Sequence, residues 1–182
     1  GTWYKTPSMG WMFVPLTEYH GGGAAATIEP LNEHLDHYEN MMLGNLGNGV
    51  QACYRGPRLY DTEETKNLVK KWVDFYKENR EILESDVIHS SSRRADGRDL
   101  DWIFHANPKL ETKGFAMVFN PTDKDIEKEI ILNVYFTGLY DHVKVLVGKQ
   151  QELTIPADRQ QNIRVPIKVK ANGFSWIKII EP

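Results

Sequence analysis

The sequence predicts an α+β protein in which two βα units precede an antiparallel β-sandwich of about eight strands. Three observations carry that prediction. Two short apolar runs, Gly10-Trp11-Met12-Phe13-Val14-Pro15 and Gly49-Val50-Gln51-Ala52-Cys53, are each followed by a stretch with helical spacing of apolar residues. Beyond residue 86 the apolar period drops to two, in short runs separated by turn signals. The composition also shifts, from glycine-rich and irregular to regularly alternating, between residues 85 and 98. The domain boundary therefore falls there, with the βα units in residues 1–85 and the sandwich in 86–182.

The elements follow in order. The first apolar run is bounded by Gly and Pro, as a strand buried on both faces is. A long loop, Leu16 to Pro30, separates it from a helix whose stripe is Leu31, Leu35, Tyr38 and Met42, expected to stop at Gly44. The second strand, Gly49 to Cys53, leads through the loop Tyr54 to Tyr60 into a helix. There Asp61 is the expected N-cap and Glu64 its capping-box partner. Leu68, Val69, Trp72, Val73, Tyr76, Ile82 and Leu83 form that helix's apolar face, leaving Lys70, Lys71, Asp74, Lys77, Glu78 and Glu81 to water.

Eight strand candidates follow: 87–89, 102–105, 114–119, 126–134, 142–147, 153–155, 162–169 and 174–180. Asp96-Gly97, Asn107-Pro108, Asn120-Pro121-Thr122-Asp123 and Asn172-Gly173 mark turns between them. Trp102, Phe104, Phe115, Phe119, Tyr135 and Trp176 alternate with polar neighbours. They are expected to be sandwich core rather than an exposed carbohydrate platform.

Composition excludes some functions. A net charge of -3 with 26% charged residues provides no basic field for phosphates, so no nucleic acid partner is expected. No apolar run reaches the roughly 18 residues of a membrane span, and GTWYKTPSMG lacks the pattern of a signal peptide, so no membrane partner is expected. The one cysteine, Cys53, rules out an intramolecular disulfide. A start on Gly1 rather than Met is read as the mark of a processed, tagged or excised chain.

The order "GVQACYRGPRLYDTEETK", "WVDFYKENREIL", "SDVIHSSSRRADGRDLDWIFHANP", "KGFAMVFNPTD" and "VYFTGL" resembles the C-terminal end of bacterial glycoside hydrolases of the α-galactosidase-like clan. The resemblance implies a (β/α)₈ barrel followed directly by a small antiparallel sandwich. The first strand and helix would be its seventh βα unit and the second pair its eighth. The clan's retaining mechanism uses two carboxylates about 5 to 5.5 Å apart, at the ends of the fourth and sixth barrel strands. Neither strand is in this chain, so no catalytic residue is assigned, and the chain alone is expected to hydrolyse nothing. The resemblance further implies carbohydrate as the partner of the full-length enzyme and a periplasmic or extracellular setting. No cofactor is expected.

Barrel enzymes build their sites from loops at the C-terminal ends of the strands. Under the resemblance, Glu18, Tyr19, His20 and Arg55 border a sugar pocket, where carboxylate, imidazole and guanidinium bond hydroxyls and the tyrosine ring packs on a pyranose. The plainer alternative is a loop held by its own glycine-rich backbone.

Other combinations are weaker. Nothing fixes the distance between Glu18 and Glu29, and Glu29 serves equally as a helix-start residue. His20, His34 and His37 lack a zinc-ligand spacing, so no metal is assigned. Cys53 beside Arg55 is read as a small buried residue rather than an activated thiolate. Arg93, Arg94, Arg98, Asp96, Asp99 and Asp101 form a mixed-charge connector of ion pairs or solvated side chains. Barrel edges left uncovered imply a homo-oligomer. The competing reading is an autonomous carbohydrate-binding module with exposed aromatics on its sandwich.

Overall fold

In the computed structural model, residues 11–15, 33, 35–47, 51–55, 60–88, 97–149 and 151–182 are described; the first two strands are described by their backbone. The chain divides into two compact units, Gly1–Arg80 and Glu81–Pro182.

In the first unit, strand β1 (Trp11–Pro15) pairs in parallel with β2 (Gln51–Arg55), from Trp11 opposite Gln51 to Pro15 opposite Arg55. Parallel neighbours need a crossover connection, and helix α1 (Leu35–Leu46) lies within it. Tyr38, Met42, Leu43 and Leu46 are buried along one stripe of α1.

Two expectations shift here. The helix does not stop at Gly44, which lies buried inside it; the Gly47 N–H closes the last turn on the Leu43 carbonyl at 2.9 Å. Burying Leu46 stabilises by about 1.5–3 kcal/mol, more than the roughly 0.5–1 kcal/mol that an interior glycine costs. Strand β2 runs two residues further than its apolar run, so Arg55 ends a strand instead of lying in a loop.

Helix α2 (Glu63–Glu78) is capped by Thr62, not by the expected Asp61. The Thr65 N–H donates to Thr62 Oγ1 at 3.3 Å, and the Thr62 N–H donates back to Thr65 Oγ1 at 3.1 Å. This reciprocal pair satisfies two donors at the start of the helix. Asp61 instead accepts the Thr65 hydroxyl, while Glu63 and Glu64 supply first-turn negative charge. Val69 and Trp72 are buried, and Lys70, Lys71, Asp74, Lys77 and Glu78 are exposed, as the periodicity predicts. Trp72 Nε1 donates to Glu39 Oε1 at 2.7 Å, joining α2 to α1. Asn79 ends α2, and both its backbone and its side-chain N–H groups donate to the Phe75 carbonyl. A single further turn, α3 (Arg80–Leu83), buries Ile82 and Leu83.

The second unit contains β3 (Val87–Ile88), β4 (Asp101–Ala106), β5 (Gly114–Phe119), β6 (Ile126–Asn133), β7 (His142–Val147), β8 (Gln151–Pro156), β9 (Asn162–Val169) and β10 (Phe174–Ile180). All eight expected strands are present. Six form one antiparallel sheet in the order β3-β4-β5-β10-β7-β8, and β6 pairs with β9 in a second. Ile130 and Leu132 of β6 and Ile163, Val165, Ile167 and Val169 of β9 share one core with Phe104, Val118, Val145, Ile177 and Ile179 of the larger sheet. The outward positions of β9, including Arg164, Pro166 and Lys168, are exposed, giving the alternation of a sandwich sheet.

Strand β5 departs from that alternation, because all six of its residues are buried. Its apolar run is continuous, as for a strand covered on both faces. At its end the buried Asn120 side chain donates to the carbonyls of Lys124 at 2.7 Å and Val169 at 2.9 Å, and accepts from the N–H and hydroxyl of Thr122. The β5–β6 turn is thereby tied to the end of β9.

Candidate functional site

Because β1 and β2 run in parallel and in register, Pro15 and Arg55 lie side by side at the C-terminal edge of the pair. Both strands therefore end at the same edge of the pair. Glu18, Tyr19 and His20 themselves lie outside the described residues, as does the Arg55 side chain. So do Glu29, His34, Arg93, Arg94, Asp96 and the side chains of His37 and Cys53. Among the described residues no group of three or more His, Cys, Asp or Glu side chains is placed to hold a metal ion. In the mixed-charge connector, Asp99 pairs with Lys128 at 2.8 Å.

The sandwich unit holds an open cleft of about 530 Å³, lined by Glu81, Ser85, Asp86, Asn107 and Lys109 among others. The Asn107 amide donates to Ser85 Oγ at 3.1 Å and its carbonyl accepts the Lys109 N–H at 3.0 Å. Among the described residues its lining holds no aromatic ring on which a sugar stacks.

The aromatic expectation holds at Phe104, Phe115 and Phe119, is met in part by the half-buried Trp102 and Trp176, and fails at Tyr135. Phe104, Phe115 and Phe119 are buried, and Trp102 packs against the core. Tyr135, expected in the core, is 65% exposed. It opens a 3-10 turn (Tyr135–Thr137) between β6 and β7. The tighter winding turns Val134 and Thr137 inward, both fully buried, and puts Tyr135 and Phe136 outside. Phe136 is 54% and Tyr140 73% exposed, so three rings stand on one connection. Tyr135 and Phe136 meet edge to face, with centroids 5.1 Å apart and planes at 85°.

Sequence reasoning missed this group because it read Tyr135 as core from its alternation with polar neighbours and did not single out Phe136 or Tyr140. The readable signal is Thr137-Gly138: a threonine able to bond back to its own turn, then a glycine at φ 75°.

No protein-family model and no curated protein matches the chain. Several solved structures do share its fold. A GH27 β-L-arabinopyranosidase from Geobacillus stearothermophilus, in complex with arabinose, is similar over 94% of this chain and 37% of its own, with TM-score 0.56 and 13% identity. An Anoxybacillus α-amylase is similar over 84% of this chain and 34% of its own, with TM-score 0.50 and 12% identity. AmyP in complex with maltose is similar over 88% of this chain and 37% of its own, with TM-score 0.51 and 10% identity. The chain thus spans little more than a third of the length of these structures. Its fold is shared with part of these glycoside hydrolases.

Proposed function

We propose that the chain is the C-terminal part of a retaining glycoside hydrolase of the α-galactosidase-like clan. Residues 1–85 are the closing two βα units of its (β/α)₈ barrel, and residues 86–182 are an appended accessory sandwich. The observation that carries this reading is the in-register parallel pairing of β1 with β2 around a crossover that contains α1. Parallel strands occur almost only in sheets of several strands covered on both faces, so a parallel pair with no further strand among the described residues supports neighbours supplied from elsewhere.

Under this reading the substrate is a carbohydrate, and the nucleophile and the acid/base carboxylate belong to strands that precede this chain. Two carboxylates and water complete a retaining hydrolysis, so the reaction needs no cofactor. Glu18, Tyr19, His20 and Arg55 border the sugar pocket from the two strand ends that the pairing brings together. They bind and orient substrate without touching the reacting bond.

The 182-residue chain is expected to show no turnover of aryl α-glycosides above the uncatalysed rate. Turnover that Glu18→Gln abolishes would place catalysis within the chain and overturn the proposal. In the full-length enzyme, Arg55→Ala is expected to raise KM about tenfold, the equivalent of one charge-assisted hydrogen bond to a sugar hydroxyl.

A further inference from the structure

We propose that the connection between β6 and β7 is a saccharide-binding surface, with Tyr135, Phe136 and Tyr140 as its ring platform and a neutral polysaccharide of pyranose units as its ligand. The proposal concerns the sandwich alone and stands or falls independently of the hydrolase reading.

The connection is a built structure. The Thr137 hydroxyl donates to the Val134 carbonyl at 2.6 Å and accepts the Leu139 N–H at 3.2 Å. Asn133 accepts the Tyr135 N–H at 3.1 Å and donates to the Gln160 carbonyl at 2.8 Å, in the neighbouring β8–β9 turn. Two backbone bonds stitch the same connections together, Val134 N–H to the Gln161 carbonyl at 2.8 Å and Ala157 N–H to the Asp141 carbonyl at 2.7 Å. The rings are therefore exposed on a fixed frame, which lowers the ordering cost of binding.

The chemistry around the rings selects the ligand. The edge-to-face pair offers a floor and a wall, and an apolar pyranose face packs on such aromatic surface. Asp141 and His142 follow the rings on the same connection, and Asp158, Arg159 and Gln160 belong to the β8–β9 turn bonded to it; all five are exposed and supply both donors and acceptors. Two carboxylates, one of them offset by the Arg159 guanidinium, create no strong field of either sign, which suits an uncharged polyhydroxyl ligand.

Area argues against a second protein as the occupant. Three aromatic side chains offer together at most roughly 750 Å², and these are 54–73% exposed. That falls short of the roughly 800 Å² per partner of a stable interface, whereas a few sugar rings need less.

The test is native affinity electrophoresis of the 182-residue chain in gels containing soluble starch or galactomannan, against a gel with neither. Retardation is expected in at least one polysaccharide gel, weakened at least about fivefold in the triple variant Tyr135→Ala, Phe136→Ala, Tyr140→Ala. Circular dichroism checks that the variant is folded, and Tyr140→Ala alone, at the most exposed ring, carries the comparison if the triple variant is not. Lack of retardation in both gels overturns the proposal, as does retardation that the ring variants leave unchanged. A dimer that the triple variant converts to monomer, without polysaccharide retardation, assigns the rings to self-association and overturns it as well.

Discussion

Asn120 shows how much a single side chain holds in this fold. Its amide reaches two carbonyls, one of them at the end of β9, and its own carbonyl receives two donors from Thr122. Asn120→Ala leaves the buried Val169 carbonyl without that donor, and is expected to lower unfolding free energy by about 2–3 kcal/mol in denaturant titration. Gly138→Ala is a second sensitive position. The residue sits at φ 75°, and an added Cβ would stand 3.1 Å from Pro108 Cβ, so a loss of at least about 1 kcal/mol is expected by the same titration. Both turns could be read from the sequence in part. Asn120-Pro121-Thr122-Asp123 announces a turn through its residue types, but the Asn120 contact with β9, 49 residues away, is set by tertiary packing. The cap of α2 was misplaced by one residue because Asp61 and Thr62 are both good cap formers. What decides between them is the Thr65 hydroxyl, which reaches back to the Thr62 N–H.

At the scale of elements, β10 is central in the six-stranded sheet, paired with β5 on one side and β7 on the other. Ile177→Ala removes a fully buried side chain and is expected to cost about 2–5 kcal/mol. Ile131, 40% exposed on β6, is the matching control, with an expected cost of Ile131→Ala under about 1 kcal/mol. Thermal unfolding of the two variants in parallel checks the contrast. The eight sandwich strands were legible because alternation and turn residues agree along almost the whole unit. Strand β5 was located correctly, but its burial on both faces follows from its continuous apolar run rather than from alternation. Helix α1 was legible as a stripe and not at its end, where burial of Leu46 carries the helix past Gly44. Tyr135 was misread for a related reason. A period-two pattern does not continue through a 3-10 turn, where a threonine goes inside and two aromatic rings go outside.

For the molecule as a whole, the architecture was more legible than the site. Parallel pairing, crossover and sandwich all follow from local patterns. The proposed sugar contacts of Glu18, Tyr19, His20 and Arg55 rest on the resemblance and on the pairing of β1 with β2. Fold likeness reaches both an arabinopyranosidase and an α-amylase, so architecture does not select the substrate. Among the described residues β1 and β2 pair with each other and with no further strand. Their outer edges offer unpaired backbone groups to another chain, and the isolated 182-residue protein is expected to self-associate through them. Light scattering should find a dimer or larger species that persists in the ring variants of the sandwich, and a monomer at high concentration would contradict open strand edges.

At the root of the account lies a claim of incompleteness: the β1–β2 pair is the last quarter of a barrel whose acid and nucleophile lie earlier in the polypeptide. Sequencing the gene upstream of the Gly1 codon tests it most directly. The expected result is a continuous reading frame for about six further βα units, with carboxylates closing the fourth and sixth strands. A stop codon followed by an initiation codon immediately before Gly1 would contradict it.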